Sequence, residues 1–568
     1  MDLTHRLRKL RKTFELMRRG AQVFRSTGMH HSLSPLVALK LARDSRKGRK
    51  GTVAVVHLHA LADPLRPAIV ALPAEAGGDE VRLNYGELEQ RINRLTHGLR
   101  SLGIGPGERL GVFLHNTHEY LELNAALGAL GGVSVQIGYR LKAAEVAYLL
   151  ENSGARALVF HADLAPVVEE ALNEVKRLSR DACVSLGHAP GFRSYEDLLA
   201  SPGCDPMEPA SVEGGGFGGM MVYTSGTTGK SKGATRDLKK MGVEPILNFI
   251  AQFPLSRDER HLVVCPLYHS AAPAFVAMVI GVGGCNVILP HFEPEEVLRC
   301  IERERITSSM MVPTMLGRLM SLPAETIRKY DTSSLRWIMS GAAPLPTDLA
   351  RRVEDAFGPI LYNFYGATET GLVTIAKPGE HTARPGTIGK MIGGNEIRLI
   401  GPDGSEVPIG QVGELYTRNS MLMDGYHGNQ AATDAAMKEG FFSVGDLAWR
   451  DADGYYYLAD RKTDMVISGG VNIYPWEIEQ RLHEHPAVLD AAVVGVPDPE
   501  WGETLVAYIV LQPGASVTAE ELQAHVRQTL ADFKRPRRVF FIDSLPRNPT
   551  GKILKRELKA RALQTPAT

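Results

Sequence analysis

The stretch from Val222 to Ala234 is the feature that most constrains what this chain can be. Glycines alternate there with serines and threonines, Lys230 and Lys232 close the run, and an apolar strand-like segment precedes it. Glycine lets the backbone curl so that successive N–H groups point inward, while hydroxyls and lysines add donors and positive charge. The stretch therefore predicts a loop that binds a polyphosphate, with a flexible linker as the alternative on composition alone.

This loop is not a Walker A loop, although its Gly229-Lys230-Ser231 end looks like one. The Walker A motif needs a glycine five residues before Gly229, and the chain has Thr224 at that position. The sequence thus predicts a phosphate loop of another kind.

Length and charge limit the function classes. The chain has 568 residues, 44 % of them hydrophobic, which predicts a globular protein of about three or four domains. Equal numbers of basic and acidic residues give a formal net charge of zero, so no global field favours nucleic acid.

The cysteines predict neither a disulfide framework nor a zinc site, because they are scattered and form no C-x-x-C pair. A reducing cytoplasm fits, and arginines interrupt every apolar run near the start, which argues against a secretory signal. The longest apolar tract, Ala271 to Pro290, contains Pro273 and several glycines. It therefore predicts a buried helix followed by a core strand rather than a membrane span.

Residues 1–51 are strongly basic, with 14 Lys or Arg against three acidic residues. Apolar residues recur there at spacings of three and four, which predicts an amphipathic helix with arginines around its apolar face. The residues of this stripe are Leu3, Leu7, Leu10, Phe14, Met17, Ala21 and Phe24. Such a helix suits an anionic membrane surface, a packing site on the body of the protein, or a partner helix.

From Val81 onwards the pattern predicts an α/β fold. Helices at 83–102, 119–130 and 143–152 alternate with strands at 109–114, 133–137 and 157–160, which indicates parallel sheets covered by helices. Beyond the phosphate loop, strand-like segments end repeatedly in polar loops that contain glycine. In parallel sheets, ligands bind at such carboxyl ends.

Three domains are predicted. Residues 1–60 form a basic amphipathic extension, and residues 61–460 form a large domain that ends in a β subdomain over about 386–457. Residues 461–568 form a small, mobile α+β C-terminal domain.

Eight ordered motifs together resemble the adenylate-forming superfamily of acyl-CoA synthetases, firefly-type luciferases and peptide-synthetase adenylation domains. They are Tyr223 to Gly233, Pro266 to His269, Ser340 to Pro344, Tyr365 to Glu369, Gly440 to Asp446, Asp460-Arg461, Ser468 to Pro475, and Pro546 to Lys552. The match covers about residues 80–560. It implies an enzyme that uses ATP, Mg²⁺ and coenzyme A.

The resemblance assigns an ATP site. The residues implied to hold the nucleotide are Thr224, Ser225, Gly226, Thr227, Thr228, Gly229, Lys230, Lys232, Gly341, Ala342, Ala343, Tyr365, Gly366, Asp446 and Arg461. Among these, Tyr365 would stack on adenine, and Asp446 would accept the ribose hydroxyls with help from Arg461. Thr368 would bond the α-phosphate, and Glu369 would hold Mg²⁺, which prefers carboxylate and phosphate oxygens.

The resemblance also implies residues for the acid and for catalysis. His269 would lie beside the acyl pocket, and Lys552 would reach the site from the small domain. A carboxylate and a triphosphate repel each other, so a lysine that bridges them lowers the barrier to attack at the α-phosphorus.

Coenzyme A would bind in the small domain. Ser468, Gly469 and Gly470 resemble the hairpin that lines the pantetheine channel, where a missing side chain lets the thiol pass. Trp501 would stack on the adenine of CoA, with Arg535 and Arg537 on its phosphates. These last three residues could equally form an exposed aromatic and a solvated basic turn.

Two positions depart from the family pattern. Ser231 replaces the usual proline of the phosphate loop, and Thr463 replaces the usual charged residue at the hinge. We expect the first change to loosen a turn and the second to alter the balance between domain positions.

The sequence thus predicts a cytoplasmic acyl-CoA synthetase, in peripheral contact with a membrane, that acts on a long-chain fatty or other lipid acid. Four alanines after His269 leave room for an alkyl chain: Ala271, Ala272, Ala274 and Ala277. An aryl-acid CoA ligase, an acyl-AMP ligase that loads a carrier protein and a non-catalytic membrane-attached lipid-binding protein are the alternatives.

Overall fold

The structure is a computed structural model that describes residues 3–45, 52–73, 78–200, 218–224, 231–237, 243–468, 471–547 and 553–564. In these ranges the helices are α1 Leu3–Ser26, α2 Pro35–Ser45, α3 Thr52–Ala62, α4 Tyr85–Ser101, α5 His118–Leu130, α6 Ala143–Ser153, α7 Ala165–Leu172, α8 Tyr195–Leu199, α9 Val243–Ile250, α10 Ala271–Val282, α11 Pro294–Glu304, α12 Pro313–Met320, α13 Ala324–Arg328, α14 Thr347–Phe357, α15 Glu380–Ala383, α16 Gln430–Ala436, α17 Pro475–His483, α18 Ala519–Arg527 and α19 Lys555–Gln564.

The strands in the same ranges are β1 Pro67–Ala71, β2 Val81–Asn84, β3 Arg109–Phe113, β4 Val133–Gln136, β5 Ala157–His161, β6 Cys183–Leu186, β7 Arg193–Ser194, β8 Gly219–Thr224, β9 Lys232–Asp237, β10 Arg260–Val263, β11 Cys285–Ile288, β12 Ser308–Met310, β13 Trp337–Ser340, β14 Leu361–Ala367, β15 Gly371–Ala376, β16 Thr387–Met391, β17 Glu396–Ile400, β18 Gly413–Arg418, β19 Gly425–Tyr426, β20 Met437–Lys438, β21 Phe441–Phe442, β22 Asp446–Arg450, β23 Tyr455–Arg461, β24 Val466–Ser468, β25 Val471–Ile473, β26 Val488–Asp498, β27 Gly502–Leu511 and β28 Arg538–Phe541.

The largest sheet contains 15 of the described strands and changes character along its width. From β1 through β11, β10, β12 and β13 to β14, neighbouring strands are parallel. From β14 through β15, β16, β23 and β22 to β18 they are antiparallel. The predicted β subdomain is therefore a continuation of the large sheet.

The second sheet carries the phosphate-loop segment. Its described strands run in the order β19-β9-β8-β4-β3-β5-β6-β7, and β3, β4, β5 and β8 are parallel. Strands β3, β4 and β5 and helices α4, α5 and α6 are the elements that the alternating pattern predicts between residues 83 and 160, so the α/β prediction is confirmed. Strands buried on both faces explain their continuous apolar runs.

Local signals explain where two important helices lie. The Asn84 side chain accepts a hydrogen bond from the backbone amide of Glu87, and the Glu87 carboxylate accepts one from the backbone amide of Asn84. This reciprocal pair stabilises the start of α4. The apolar tract from Ala271 forms α10 and then β11, as predicted, with Gly283 at a φ of 84° ending the helix. Within the described residues, no helix has the length and apolar character needed to cross a membrane.

The N-terminal helices differ in how they contact the rest of the protein. α3 is packed within the main core beside α4, so the predicted extension 1–60 includes a helix that is buried in the large domain. The second half of α1 packs through Val23 and hydrogen-bonds Asn248 of α9 through Arg19. Met17, which belongs to the predicted apolar stripe, is 61 % exposed.

The C-terminal part has its own five-stranded sheet, ordered β25-β24-β27-β26 with β28 beside β27. Helices α17 and α18 cover one apolar cluster, and α19 covers a second cluster that includes Tyr508 and Leu558. This is the compact α+β arrangement predicted for the end of the chain.

Contacts of Trp476 join the C-terminal domain to the large domain. Asp460, at the end of β23, accepts a hydrogen bond of 3.0 Å from the amide of Trp476 in α17. The Trp476 ring lies so close to Gly386 that a Cβ there would be 2.4 Å from ring atom Cη2. Thr463, the departure at the hinge, lies in the turn where the amide of Met465 bonds the carbonyl of Arg461.

Glu304 is a buried acid that ties α11 to the edge of the large sheet. Its carboxylate meets Arg82 at 2.7 Å, Arg260 at 2.5 Å and Arg303 at 3.1 Å, and its side chain is 4 % exposed. Burial alone would raise the pKa of the Glu304 carboxyl, but hydrogen bonding from Arg82 and the charges of the three arginines outweigh burial and lower it.

We expect Glu304→Gln to lower the free energy of unfolding by about 2 kcal/mol, because losing one partner of a buried ion pair leaves the others uncompensated. The lowered pKa means that this stability is present above the unfolded pKa of 4.5 and is lost as pH falls through the folded value. Denaturant midpoints for the wild type and E304Q should therefore converge as pH falls below 4.5 and through the folded pKa.

Glu169→Gln is the matched control, since Glu169 pairs with Arg180 where both side chains are about half exposed. It should change stability by less than about 1 kcal/mol. An E304Q protein as stable as the wild type at pH 7 would contradict the role given to this cluster.

Candidate active site

The candidate site lies where the carboxyl ends of strands from both sheets meet. β13 ends at Ser340 beside Asn363 of β14, and β14 leads into the turn that carries Thr368 and Glu369. The hairpin of β8 and β9 reaches the same place from the second sheet, with Thr224 paired to Lys232. The motifs found separately in the sequence are thus neighbours in space.

Glu369 is the residue at which these segments join. Its Oε1 accepts a hydrogen bond of 3.0 Å from the hydroxyl of Thr224 and one of 3.2 Å from the hydroxyl of Tyr426. The residue is only 7 % exposed. One carboxylate therefore connects the β14–β15 turn, the start of the phosphate loop and β19.

Positive charge surrounds this carboxylate. The Lys232 ammonium lies 5.1 Å from the centre of the Tyr426 ring, and Arg236 Nη2 donates to the carbonyl of Thr368 at 2.7 Å. Burial lowers the pKa of Arg236, and the charges of Glu369 and Asp424 oppose that shift. The site can hold a cation and anionic oxygens together.

A second polar group is formed by side chains from β14, β22 and β23. Tyr365 donates its hydroxyl to Asp446 Oδ2 at 2.8 Å, and Arg461 Nε lies 3.2 Å from Asp446 Oδ1. Asp446 and Arg461 face each other across the strand pair. Burial and the charge of Asp446 raise the pKa of Tyr365, so the phenol stays a donor.

Two glycines of the site are required by close packing. A Cβ at Gly341 would lie 2.5 Å from the Phe364 ring, and one at Gly366 would lie 2.1 Å from the carbonyl oxygen of Gly371. Ala342, between the strand end and Ala343, has a φ of 67°, a left-handed conformation that alanine rarely adopts. The loop after β13 thus takes a shape set by its neighbours.

His269 is connected to the turn that carries Thr368 and Glu369 through the next residue, Ser270. Ser270 Oγ is 3.1 Å from Thr368 Oγ1. The His269 ring is 4.2 Å from the ring of Tyr268, which packs edge-on against Tyr139. The segment predicted to border the acid and the Thr368-Glu369 turn are therefore in direct contact.

Four of the six residues predicted to bind CoA, Ser468, Trp501, Arg535 and Arg537, line one surface pocket of about 270 Å³. Its walls are Ser468, Val471, Trp501, Thr504, Leu505, Asp532, Phe533, Arg535 and Arg537. Trp501 is 46 % exposed, and Arg535 Nε lies 3.5 Å from Asp532. The structure thus brings together four residues that the sequence places up to 69 positions apart, from Ser468 to Arg537.

Several predicted site residues lie outside the described residues. They are Ser225, Gly226, Thr227, Thr228, Gly229 and Lys230 of the phosphate loop, Gly469 and Gly470 of the hairpin, and Lys552. Their roles stay predictions.

Sequence reasoning did not identify Tyr426, Arg236 or Ser270. Tyr426 lies 57 residues beyond Glu369, and its only local signal is the pair of flanking glycines, Gly425 and Gly428. Arg236 and Ser270 adjoin recognised motifs, but adjacency alone does not show that their side chains turn towards Thr368.

The donors around Glu369 suit Mg²⁺ better than zinc. In the part of the chain that the structure describes, no three His, Cys, Asp or Glu side chains cluster as metal ligands. Mg²⁺ is commonly held by one or two carboxylates with substrate phosphates and water, a requirement that Glu369 beside the phosphate loop can meet.

The strands on either side of the predicted phosphate loop, the Glu369 carboxylate beside them and a C-terminal α+β domain are the arrangement expected of an adenylate-forming enzyme. Comparison with protein families agrees: residues 57–427 match the model described as AMP-binding enzyme, and residues 477–552 match the AMP-binding enzyme C-terminal domain. The chain belongs to this family, whose acyl-CoA ligases form AMP from ATP and use Mg²⁺ and CoA.

Similar proteins include ligases for different acids. A feruloyl-CoA synthase of Amycolatopsis sp. is 38 % identical over 84 % of this chain and 94 % of its own length. A medium/long-chain-fatty-acid–CoA ligase of Mycobacterium tuberculosis is 33 % identical over 85 % of this chain and 86 % of its own. The solved structure of an anthranilate CoA ligase with anthranoyl-AMP superposes with a TM-score of 0.82 at 26 % identity, covering 90 % of this chain and 97 % of that one.

We expect Glu369→Gln to reduce acid-dependent pyrophosphate release about 100-fold, because the amide keeps the contacts with Thr224 and Tyr426 but loses the charge that attracts Mg²⁺. Raising the Mg²⁺ concentration should recover part of the rate. Glu414→Gln is the control, since Glu414 binds Ser443 and Lys462 instead. An E369Q enzyme with a normal rate and normal Mg²⁺ dependence would refute the assignment.

Proposed function

We propose that this chain is an acyl-CoA synthetase that joins a long-chain fatty or other lipid acid to CoA through an acyl-AMP intermediate. The observation that carries this proposal is the junction at Glu369, where Thr224, Lys232 and Tyr426 converge. It provides a carboxylate for a metal ion and cations for phosphates, while Thr368 links it to the segment beside His269.

In the first half-reaction, the acid carboxylate attacks the α-phosphorus of ATP and pyrophosphate leaves. Glu369 would hold Mg²⁺, which would neutralise negative charge on the phosphates. Thr224, Lys232 and the phosphate loop would hold the leaving pyrophosphate, and Thr368 would donate to an α-phosphate oxygen. Asp446 retains lone pairs for the ribose hydroxyls beyond its bonds to Tyr365 and Arg461, because a carboxylate has about four acceptor sites.

Lys552 completes this arrangement in the proposal. It precedes α19, whose first residue, Lys555, pairs with Glu479 of α17 at 2.8 Å. The helix after the Lys552 segment is thereby attached to the same helix that contacts the large domain through Trp476. A charge delivered by the small domain would act only when that domain covers the site.

We expect Lys552→Ala to reduce acyl-AMP formation about 100-fold and to spare thioester formation from supplied acyl-AMP, since the charge is needed while negative charge develops at the α-phosphorus. Single-turnover assays of each half-reaction measure the two effects. Lys559→Ala serves as the control, because Lys559 pairs with Glu503 at 3.0 Å. Equal losses in both half-reactions would contradict the role of Lys552.

In the second half-reaction, the CoA thiol attacks the acyl carbon and AMP leaves. The pocket around Trp501, Arg535 and Arg537 supports CoA binding, because an exposed aromatic and two guanidinium groups suit a nucleotide with phosphates. Ser468 lies at its edge, at the start of the hairpin proposed to line the pantetheine channel.

Replacing Trp501 by Ala should raise KM for CoA about tenfold, because stacking on a base contributes about 1–3 kcal/mol. Arg535→Ala should act in the same direction, and acyl-AMP formation should be unchanged in both variants. Phe541→Ala is the control, since Phe541 is also exposed, at 43 %, and does not line the pocket. An unchanged KM for CoA in W501A and R535A would reject this site.

The similar fatty-acid ligase and the basic N-terminal region favour a lipid acid. The four alanines give limited support, since Ala272 is buried, Ala271 is half-buried, and Ala274 and Ala277 are exposed. An aryl acid is the second candidate, favoured by the resemblance to feruloyl-CoA synthase.

A screen of pyrophosphate release over fatty, aromatic and sterol-type acids tests the acid class. The proposal predicts the highest kcat/KM with an alkyl chain of twelve or more carbons, on the order of ten times that of any aryl acid. Preference for hydroxycinnamic or other aryl acids would select the second candidate.

Two further assays test which thiol accepts the acyl group and whether the chain is catalytic at all. Product analysis with CoA and with a carrier protein separates a CoA synthetase from an acyl-AMP ligase that loads a carrier. Absence of ATP–pyrophosphate exchange with every acid would favour a non-catalytic lipid-binding protein.

We also propose a cytoplasmic enzyme that touches a membrane through residues 1–51. The support is the excess of 14 basic over three acidic residues in that region. The four cysteines in the described ranges, Cys183, Cys265, Cys285 and Cys300, are free thiols, as is usual in a reducing compartment.

A further inference from the structure

The second helix, α2, has an apolar surface that the described residues leave uncovered. Leu36 is 62 % exposed, Leu39 is 69 % exposed, and Leu33 just before the helix is 39 % exposed. Leu36 and Leu39 are three residues apart within α2, which places them on one side of the helix, and Leu33 lies two residues before its first residue. We name Leu33, Leu36 and Leu39 the leucine ridge.

The opposite side of α2 is the one that contacts the protein. Val37 is 7 % exposed, Leu41 is half-buried, and α2 packs against α3. Ser34 caps the start of the helix, because its hydroxyl accepts a hydrogen bond of 3.2 Å from the backbone amide of Val37. The helix is therefore held in place with its ridge facing outward, although a docked surface helix ordinarily carries polar residues on that side.

The segment that carries the ridge is basic overall, although α2 also contains Asp44 and α1 contains Glu15. Lys40 is exposed and lies four residues after Leu36, on the same side of the helix. Residues 30–41 contain no acidic residue, and Arg18 and Arg25 of α1 are exposed. Apolar side chains next to basic ones match the boundary between acyl chains and anionic headgroups.

We propose that the leucine ridge of α2 inserts into the surface of an anionic lipid bilayer, with Lys40 at the headgroups. This rests on the membrane contact proposed for residues 1–51 and assigns its apolar part to α2. The second half of α1 is attached to α9 through Arg19 and Asn248, so that half supplies charge and the exposed Met17, while α2 supplies the main insertion.

Sedimentation of the full chain with vesicles tests the proposal, using phosphatidylcholine vesicles with and without about one-third phosphatidylglycerol. We expect binding only to the anionic vesicles, and a partition coefficient at least about tenfold lower in the L36S/L39S double variant. Ile409→Ser is the control, since Ile409 is 57 % exposed and lies in the β subdomain. Pyrophosphate release without vesicles should be the same in all three proteins, which verifies folding.

The outcomes separate the proposals. Wild-type binding that L36S/L39S retains in full would overturn the role of the ridge and leave the general membrane contact intact. No wild-type binding would overturn both, while pyrophosphate release would still report on the ligase. A wild-type dimer in solution that L36S/L39S converts to a monomer would assign the ridge to a second copy of the chain and overturn the lipid proposal.

Discussion

The hydrogen bonds to Glu369 are the interaction on which the candidate site depends. A carboxylate at this place would repel both the triphosphate and the acid unless cations compensate it, and Lys232 and Arg236 lie close enough to do so. The two hydroxyl donors, Thr224 and Tyr426, hold the carboxylate in one position. Because Thr224 belongs to one sheet and Glu369 to the other, the same contacts fix the relative position of the two sheets at the site.

The fold could largely be predicted from sequence because its elements are strongly periodic. The strand predicted at 109–114 is Arg109–Phe113, and the helix predicted at 143–152 is Ala143–Ser153. Periodicity does not give the partner of a strand, so the continuity of the β subdomain with the large sheet, through β14 and β15, was not predictable. It also does not say which side of an apolar helix meets the protein, as Met17 and Val23 of α1 illustrate.

In the candidate site, only residues that belong to recognisable sequence motifs could be predicted. The resemblance identified Glu369, Asp446 and Arg461, which the structure places in hydrogen-bonded groups. It did not provide Tyr426, whose contact with Glu369 depends on the pairing of β19 with β9. Contacts between residues far apart in the chain are set by tertiary packing, and a single sequence contains no direct signal for them.

Proposed catalysis requires two parts of the chain to act in turn. The nucleotide and acid residues lie in the large domain, whereas Lys552 and the pocket around Trp501 belong to the small one. The contacts of Asp460 and Gly386 with Trp476 hold the two domains in the present arrangement. Thr463, in the turn between them, lacks the charge usual in the family, so fewer electrostatic contacts are available to favour either domain position.

The central claim is that the acid is activated as an acyl-AMP, and oxygen transfer tests it most directly. A carboxylate labelled with ¹⁸O keeps one of its oxygens on phosphorus when it attacks ATP, and this oxygen leaves with AMP when CoA attacks the acyl carbon. Mass spectrometry after a single turnover should therefore find one ¹⁸O atom in AMP and none in pyrophosphate. Unlabelled ADP together with labelled inorganic phosphate would mean that the acid attacks the γ-phosphorus and forms an acyl phosphate instead, and would contradict the account.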